Sequence, residues 1–119
     1  MHEMGVVLNI IKTAERLAVE NNAPKLGYVT VQVGELSGVV PGYLSNLWPM
    51  GAEGTVCEGA ELIIETVRGI VRCLSCEKEY HIMDNLVKDA PVCPHCQRER
   101  FAVLTGREVM ITEIGVLEQ

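Results

Sequence analysis

The chain has 119 residues, a formal net charge of −6, and 48% hydrophobic but only 4% aromatic residues. This composition excludes a disordered chain and predicts one ordinary domain with a small appendage, built on an aliphatic core. Residues 69–107 carry six basic and five acidic residues, and the rest of the chain carries four basic and eleven acidic ones. Neither part has the basic surface that nucleic-acid binding requires, so we expect no nucleic-acid partner.

Cysteine usage and the lack of export signals predict the compartment. No apolar run reaches membrane-spanning length, and the N-terminus lacks the basic-then-apolar order of a signal peptide. We therefore expect a cytoplasmic protein that does not bind membranes. In a reducing compartment the five cysteines favour metal binding over disulfides. The cysteine outside the paired motifs, Cys57, is predicted to be a small buried hydrophobe.

The first part of the chain predicts a helix, a strand and a second helix. Residues 3–21 place apolar side chains at helical spacing, which indicates an amphipathic helix. Residues 28–33 alternate valine with polar side chains, as in a half-buried strand. Pro41 can open a second helix because its missing N–H is not needed there, and Trp48 is predicted as a packing anchor. Pro49 is expected to kink or end this helix.

The second part of the chain predicts strands on either side of an insert. Residues 60–68 alternate in hydrophobicity and are expected to run on as one strand to Cys73. Residues 101–104 predict a short strand, and residues 108–117 predict a long final one. We expect the final strand to pair with residues 60–68, since the insert returns the chain to its starting point.

The insert contains two CxxC pairs, Cys73-Leu74-Ser75-Cys76 and Cys93-Pro94-His95-Cys96, separated by sixteen residues. Two residues between cysteines allow a tight turn to aim both sulfurs at one ion, and two such turns complete a tetrahedron. The spacing is therefore typical of a closed, structural four-thiolate zinc site. The alternatives are two disulfides, free buried thiols, a thioredoxin-type redox pair, or the four-thiolate iron site of a rubredoxin-like electron carrier.

Together these elements predict an α+β fold. We expect a small α/β domain of two helices on a three-stranded sheet, formed by residues 1–68 plus 108–119. A four-cysteine, zinc-ribbon-like domain is inserted into it at residues 69–107. The chain lacks Walker A, GxSxG, HExxH and dinucleotide-binding motifs, so we expect no enzymatic activity. His81 and His95 are expected to face solvent.

The N-terminus has a chelating arrangement of its own. The free α-amine of Met1, the backbone nitrogen of His2 and the His2 imidazole can close adjacent chelate rings around one ion. The backbone nitrogen or carboxylate of Glu3 can supply a further donor. Deprotonated amide nitrogens enforce a square-planar field, which suits Ni(II) or Cu(II) rather than zinc. The alternative is that His2 is a frayed terminal residue without a metal.

Short motifs follow one another along the whole chain: Met1-His2-Glu3-Met4, Val33-Gly34-Glu35-Leu36, Val40-Pro41, Gly59-Ala60-Glu61-Leu62 and the two CxxC pairs. In this order they resemble the HypA family, including its HybF-like members. These proteins are nickel metallochaperones for the maturation of NiFe hydrogenase and, in some organisms, urease.

The resemblance implies a function, cofactors and partners. It implies that nickel is bound at His2, with the terminal amine of Met1 and with Glu3, and is delivered to a hydrogenase. It implies a structural zinc ion and, as partners, a HypB-type GTPase that supplies nickel and a hydrogenase large-subunit precursor that receives it. We expect a monomer or a homodimer. The cysteines that the resemblance assigns to zinc are Cys73, Cys76, Cys93 and Cys96.

The chain also departs from the pattern of the family. Gly42 stands where many members carry glutamate after the proline, which weakens the second helix. Glu77 and Gln97 stand where several members carry histidines proposed to make the zinc site responsive to pH or nickel, so we do not expect that coupling here. The alternative function is a zinc-ribbon adaptor for protein interactions, or a nucleic-acid module, without a nickel role.

Overall fold

The computed structural model describes residues 3–117. These residues form two helices on one three-stranded sheet, a second small sheet and a short hairpin, which confirms the predicted α+β class. Neither helix in this part of the chain is long and apolar enough to span a bilayer. In chain order the elements are α1 (Glu3–Glu20), β1 (Leu26–Gly34), α2 (Pro41–Ala52), β2 (Glu61–Val67), β3 (Ile70–Cys73), β4 (Glu79–His81), a 3₁₀ helix (Ile82–Asp84), β5 (Leu86–Val87), β6 (Ala90–Pro91), β7 (Phe101–Val103) and β8 (Val109–Val116).

The main sheet has the order β2–β1–β8, with β1 in the centre. Strand β1 runs parallel to β2, with Val31 opposite Ile64, and antiparallel to β8, with Val31 opposite Ile111. The prediction that the final strand pairs with residues 60–68 is therefore wrong. Because α2 lies between β1 and β2 in the chain, it supplies the crossover that a parallel pair needs. This crossover places β2 beside β1 and leaves the opposite edge of β1 to β8.

The two helices cover one face of this sheet and enclose an aliphatic core. The predicted stripe of α1 is buried, and α2 packs against α1 at Gly51. A Cβ atom on Gly51 would lie only 2.6 Å from Val7 Cγ1, so the glycine sets the close approach of the helices. We call α1, α2, β1, β2 and β8 the α/β unit. Its buried residues are Val7, Ile10, Ile11, Ala14, Ala18, Ala23, Leu26, Val29, Val31, Val33, Val39, Leu44, Trp48, Ala52, Cys57 and Ala60.

Helix α2 starts at Pro41, as predicted, but it continues through Pro49 to Ala52. Of the two outcomes predicted for Pro49, an end of the helix is wrong, because tertiary packing supports the last turn and overrides the local proline signal. Trp48 and Ala52 are both buried in the core, and the Trp48 indole N–H donates a hydrogen bond to the Ala60 carbonyl at 2.9 Å. Trp48 is therefore the packing anchor that the sequence indicated.

Strands β3 to β7 and their connections form the insert, which we call the four-cysteine module (residues 69–107). Its three-stranded sheet has the order β4–β3–β7, and strands β5 and β6 form a separate hairpin. The prediction of one strand running from residue 60 to Cys73 is wrong, because β2 ends at Val67 and β3 begins at Ile70 in a different sheet. The Gly69 N–H between them donates to the Glu35 carboxylate at 2.7 Å, which turns the chain away from the main sheet.

The end of β1 holds both connections between the α/β unit and the four-cysteine module. The outgoing and returning chains touch at two glycines: a Cβ atom on Gly106, whose φ is +92°, would lie 2.7 Å from Gly69 Cα. This close crossing requires residues without side chains. The backbone N–H groups of Gly34, Glu35 and Leu36 donate to the carbonyls of Glu108 (2.9 Å), Val67 (2.9 Å) and Gly106 (2.7 Å), respectively.

Candidate metal centre

The four predicted cysteines come together at one end of the four-cysteine module. Their sulfur atoms all lie within 4.8 Å of one another. The Sγ atoms of Cys73 and Cys96 are 3.5 Å apart, and those of Cys76 and Cys93 are 3.7 Å apart. Four thiolates around one ion with metal–sulfur bonds of about 2.3 Å place neighbouring sulfurs about 3.8 Å apart. The cluster can therefore hold one tetrahedral metal ion.

The two CxxC turns have the same backbone conformation. In each turn the residue after the second cysteine adopts a left-handed conformation, with φ of 65° at Glu77 and 66° at Gln97. The N–H groups of these two residues donate to the carbonyls of Cys73 and Cys93, each at 2.9 Å. The cluster is thus built from two equivalent half-sites, one following β3 and the other following β6. Further along each turn, the N–H groups of Cys73 and Cys93 donate to the carbonyls of Lys78 (2.8 Å) and Arg98 (2.9 Å).

Backbone N–H groups in the turns point at sulfur. Those of Cys76 and Ser75 donate to Cys73 Sγ at 3.5 and 3.4 Å, and that of His95 donates to Cys93 Sγ at 3.4 Å. The Cys76 N–H, together with that of Ser75, lowers the pKa of the Cys73 thiol to about 6. This favours the thiolate, which is the form that binds metals. The shortest sulfur separation, 3.5 Å, is far longer than a disulfide bond of about 2.05 Å.

An apolar layer supports the cluster. Val71, Tyr80 and Ile82 are buried together with Cys73 and Cys93 in the small core of the four-cysteine module. The Tyr80 hydroxyl is buried without a hydrogen-bond partner among the residues described. Burial, reinforced by the nearby thiolates, raises the pKa of Tyr80, so its hydroxyl stays neutral. The layer keeps water from the inner sulfurs, since Cys73 and Cys93 are both fully buried in it.

His81 does not face solvent, so that prediction is wrong. Its side chain is only 14% exposed, with Nε2 2.6 Å from Glu35 Oε1 and Nδ1 2.8 Å from Asp84 Oδ2. Strand β4 holds His81 opposite Ile70 at the start of β3, which brings the imidazole to the end of β1. Glu35 lies 46 residues earlier in the chain, so no local pattern could have indicated this contact.

The charges around His81 favour the imidazolium form. Asp84, and then Glu35, raise the pKa of His81 by accepting hydrogen bonds from the ring. The Arg68 guanidinium, 2.8 Å from Nδ1, opposes protonation, but the two carboxylates outweigh it. The Gly69 N–H, and then His81, lower the pKa of Glu35. An ion-paired network thus joins the α/β unit to the four-cysteine module.

The N-terminal candidates are only partly within the described residues. Met1 and His2 lie outside residues 3–117, so of the three predicted nickel ligands the structure places Glu3 alone. Glu3 is the first residue of α1 and is half-buried. A carboxylate in the first turn of a helix is stabilised by the helix dipole.

The remaining candidates behave as the sequence predicted. The His95 side chain is exposed in the second CxxC turn. Cys57 is fully buried in the core of the α/β unit, and burial raises the pKa of its thiol to about 11. A protonated, buried thiol is a packing residue, because metal binding and nucleophilic chemistry need the thiolate.

Comparisons with known proteins agree along the whole chain. Residues 1–116 match the family model described as hydrogenase/urease nickel incorporation, metallochaperone, hypA. A hydrogenase maturation factor HypA from Streptomyces avermitilis is 38% identical over 115 residues, covering 96% of this chain and 86% of the relative. One from Chlorobium limicola is 31% identical over 118 residues, covering 99% and 98% of the two chains.

Solved structures show the same similarity. The solution structure of the Ni metallochaperone HypA from Helicobacter pylori matches with a TM-score of 0.70 and 26% identity, covering 100% of both chains. A second HypA solution structure matches with a TM-score of 0.70 and 27% identity, covering 98% of this chain and 97% of the other. The chain described above therefore belongs to the HypA family of hydrogenase and urease nickel-incorporation metallochaperones.

Proposed function

We propose that this protein is a nickel metallochaperone that binds Ni(II) at its N-terminus and delivers it during maturation of NiFe hydrogenase or urease. The observation that carries the proposal is the family match over residues 1–116, which includes the chelating residues at the start of the chain. The similarity to the nickel metallochaperone of Helicobacter pylori over the full length of both chains supports it.

The donors that we assign to nickel are the α-amine of Met1, the backbone nitrogen and imidazole of His2, and Glu3. Together they offer the nitrogen-rich, square-planar set that Ni(II) prefers. Helix α1 begins at Glu3, so the first two donor residues immediately precede a rigid element. The close contact between Gly51 and Val7 fixes α1 against α2. Glu3 thus supplies a fixed end to the chelate.

The function that follows is transfer, not catalysis. A site at a chain end can be dismantled by ligand exchange when a partner offers competing thiolates, so Ni(II) is cargo. We propose a HypB-type GTPase as the source of nickel and a hydrogenase large-subunit precursor as the acceptor. The family's place in hydrogenase maturation supports partners of this pathway.

We further propose that the metal in the four-cysteine module is structural zinc. The sulfur separations fit a tetrahedral ion, and four thiolates leave no open position for a substrate. On this proposal residues 1–68 plus 108–119 form the nickel-binding domain, and residues 69–107 form the zinc-binding domain. When bound, zinc would hold the two CxxC turns together and so stabilise the fold of the module around them.

A nickel titration of the untagged, zinc-loaded protein tests the nickel site. We expect one equivalent of Ni(II) to give a diamagnetic, square-planar absorbance and circular dichroism signal in the d–d region. The His2→Ala variant should lose this signal, whereas His95→Ala should keep it, because the His95 side chain is exposed in a CxxC turn. Both variants should keep their zinc and their melting temperature.

Acetylation of the N-terminus provides the second arm of the test. It removes the α-amine of Met1 without changing any side chain, so it should abolish the square-planar signal as His2→Ala does. Normal nickel binding by either the acetylated protein or His2→Ala would overturn the ligand assignment. Absence of specific nickel binding in the unmodified protein would overturn the function and favour a zinc-ribbon adaptor.

A further inference from the structure

Strand β8 forms an edge of the main sheet. Within residues 3–117 it pairs only with β1, so the backbone groups along its outer side have no strand partner. The register with β1 shifts between Thr30 and Val31, which leaves Thr112 as an extra residue and gives residues 109–111 a regular edge before it. A regular, uncovered edge of this kind is a template for pairing with another extended chain.

Two cavities flank this edge on opposite faces of the sheet. The first, about 690 Å³ in volume, lies between α1 and β8 and is lined by residues that include Asn9, Thr13 and Ile111. The second, about 380 Å³, lies on the face without helices and is lined by residues that include Gln32 and Val67. Arg107 and Met110 line both cavities. The cavities therefore meet at the start of β8.

This arrangement matches the geometry of an added strand. Successive side chains of a strand point to opposite faces of its sheet. In β8 itself, Val109 and Ile111 lie opposite the buried Val33 and Val31 on the helix side, whereas Met110 lies opposite Gln32 on the other side. A strand paired with β8 would alternate in the same way, so its odd and even side chains would enter different cavities.

The charge of the two cavities differs. The helix-side cavity is lined by Arg16 and Arg107 and by no acidic residue, although the whole chain has a net charge of −6. Neither arginine forms an ion pair in the part of the chain that the structure describes. The cavity on the opposite face has a mixed lining, in which Val103 and Leu104 stand beside Gln32, Arg107 and Glu108. Carboxylates thus suit the first cavity, whereas the second carries charges of both signs and favours no single class of side chain.

We propose that the edge of β8 binds an extended segment of a partner protein that carries acidic residues at alternate positions. The segment pairs with the backbone of residues 109–111, and its carboxylates approach Arg16 and Arg107 in the helix-side cavity. Main-chain pairing supplies affinity, and the helix-side cavity supplies specificity. This docking surface does not involve the N-terminus or the four cysteines, so it stands independently of the nickel proposal.

The test uses a fluorescent ten-residue peptide in which glutamate and valine alternate, titrated into the full-length, zinc-loaded protein at low salt. We expect a rise in fluorescence anisotropy that weakens as salt is added, because exposed ion pairs are screened. A peptide in which lysine replaces glutamate should not bind. Amide hydrogen exchange in the complex should slow at residues 109–111.

Variants at the arginines make the assignment specific. The double variant Arg16→Gln with Arg107→Gln should weaken peptide binding about fivefold, as expected for the loss of two exposed ion pairs. The matched control is Arg72→Gln, since Arg72 is also exposed but pairs with Glu79 in the four-cysteine module. The control should bind the peptide as the unsubstituted protein does.

Several results would overturn the proposal. These are the absence of binding, equal binding of the lysine peptide, unchanged affinity in the double arginine variant, or protection of amides away from β8. Sedimentation equilibrium of the protein alone tests whether a second copy of the chain occupies the edge of β8 instead of a partner. A dimer that slows exchange at residues 109–111 without peptide would show that a second copy of the chain covers this edge.

Discussion

The α/β unit buries sixteen side chains in one cluster, whereas the four-cysteine module buries five, and two of those five are cysteines. The α/β unit also carries both helices and the long strands β1 and β8, whereas the strands of the module have two to four residues. The two regions lie in one chain and in the same solvent. The difference in buried side chains and in strand length therefore reflects how each region is stabilised.

The comparison shows where a bound metal matters for folding. Units smaller than about 40 residues rarely bury enough apolar surface to fold alone and usually need a metal or disulfides. The four-cysteine module, with residues 69–107, falls at this limit, whereas the α/β unit has a core of its own. We infer that metal binding provides most of the stability of the module and little of that of the α/β unit.

The largest expected effect comes from removing a metal ligand from the four-cysteine module. Cys73→Ser removes one of the four ligands of the zinc ion that we propose for the module, and structural zinc binding contributes roughly 10–16 kcal/mol. We expect loss of bound zinc and of amide protection in β3, β4 and β7, with protection retained in β1. Hydrogen exchange with metal analysis measures both.

The matched cysteine control is Cys57→Ala, which should keep its zinc because Cys57 lies in the core of the α/β unit. Retained zinc in Cys73→Ser, or loss of protection throughout the chain, would contradict the division of stability between the two regions.

The second prediction concerns the hydrophobic core of the α/β unit. Leu44 is fully buried in the α/β unit, so Leu44→Ala should lower the free energy of unfolding by about 2–5 kcal/mol. Zinc content should not change. Urea denaturation measures the loss, and Val19→Ala, at an exposed position of α1, should have little effect. Release of zinc by Leu44→Ala would show that the two regions fold as one.

The third prediction concerns the crossing between the regions. Gly106→Ala imposes a left-handed backbone conformation on alanine and also brings its Cβ against Gly69. We expect a loss of about 1–3 kcal/mol of stability, measured by thermal unfolding. Gly54→Ala is the control because Gly54 has a similar φ of +78° but open space around it. Equal losses in both variants would mean that the close contact at Gly69 contributes nothing.

The smallest expected effect concerns the ion-paired network around His81, which links the α/β unit to the four-cysteine module. Asp84 and Glu35 raise the pKa of His81 above its ordinary 6.5, so folding favours proton binding. The resulting stabilisation is complete below pH 6.5 and is lost as the pH rises through the raised pKa. The melting temperature should therefore exceed that of His81→Gln at about pH 6 and approach it at about pH 9. A difference for His81→Gln that does not vary with pH would refute the link.

Sequence patterns predicted the features that depend on near neighbours. The stripe of α1, the start of α2 at Pro41 and the four-cysteine cluster all follow from spacings of a few residues, because local geometry fixes which side chains share a face or a turn. The anchoring role of Trp48 follows from its size and apolar surroundings.

Features that depend on distant partners were not predictable in the same way. Pairing of β8 with β1 depends on the crossover through α2, which a strand pattern does not reveal. Burial of His81 depends on Glu35, and the break before β3 depends on the same carboxylate through Gly69. The continuation of α2 past Pro49 depends on packing against α1. In each case a tertiary contact decided between alternatives that local chemistry left equal.

The contact between Gly69 and Gly106 has a consequence for how this fold can vary. The ends of residues 70–105 are already in contact at the sheet, and the entropy of closing a loop changes only slowly with its length. Insertions and deletions between the two glycines therefore leave the register of β1, β2 and β8 unchanged. A different metal-binding loop in place of residues 70–105, with glycine at both ends, would meet the same geometric conditions at this crossing.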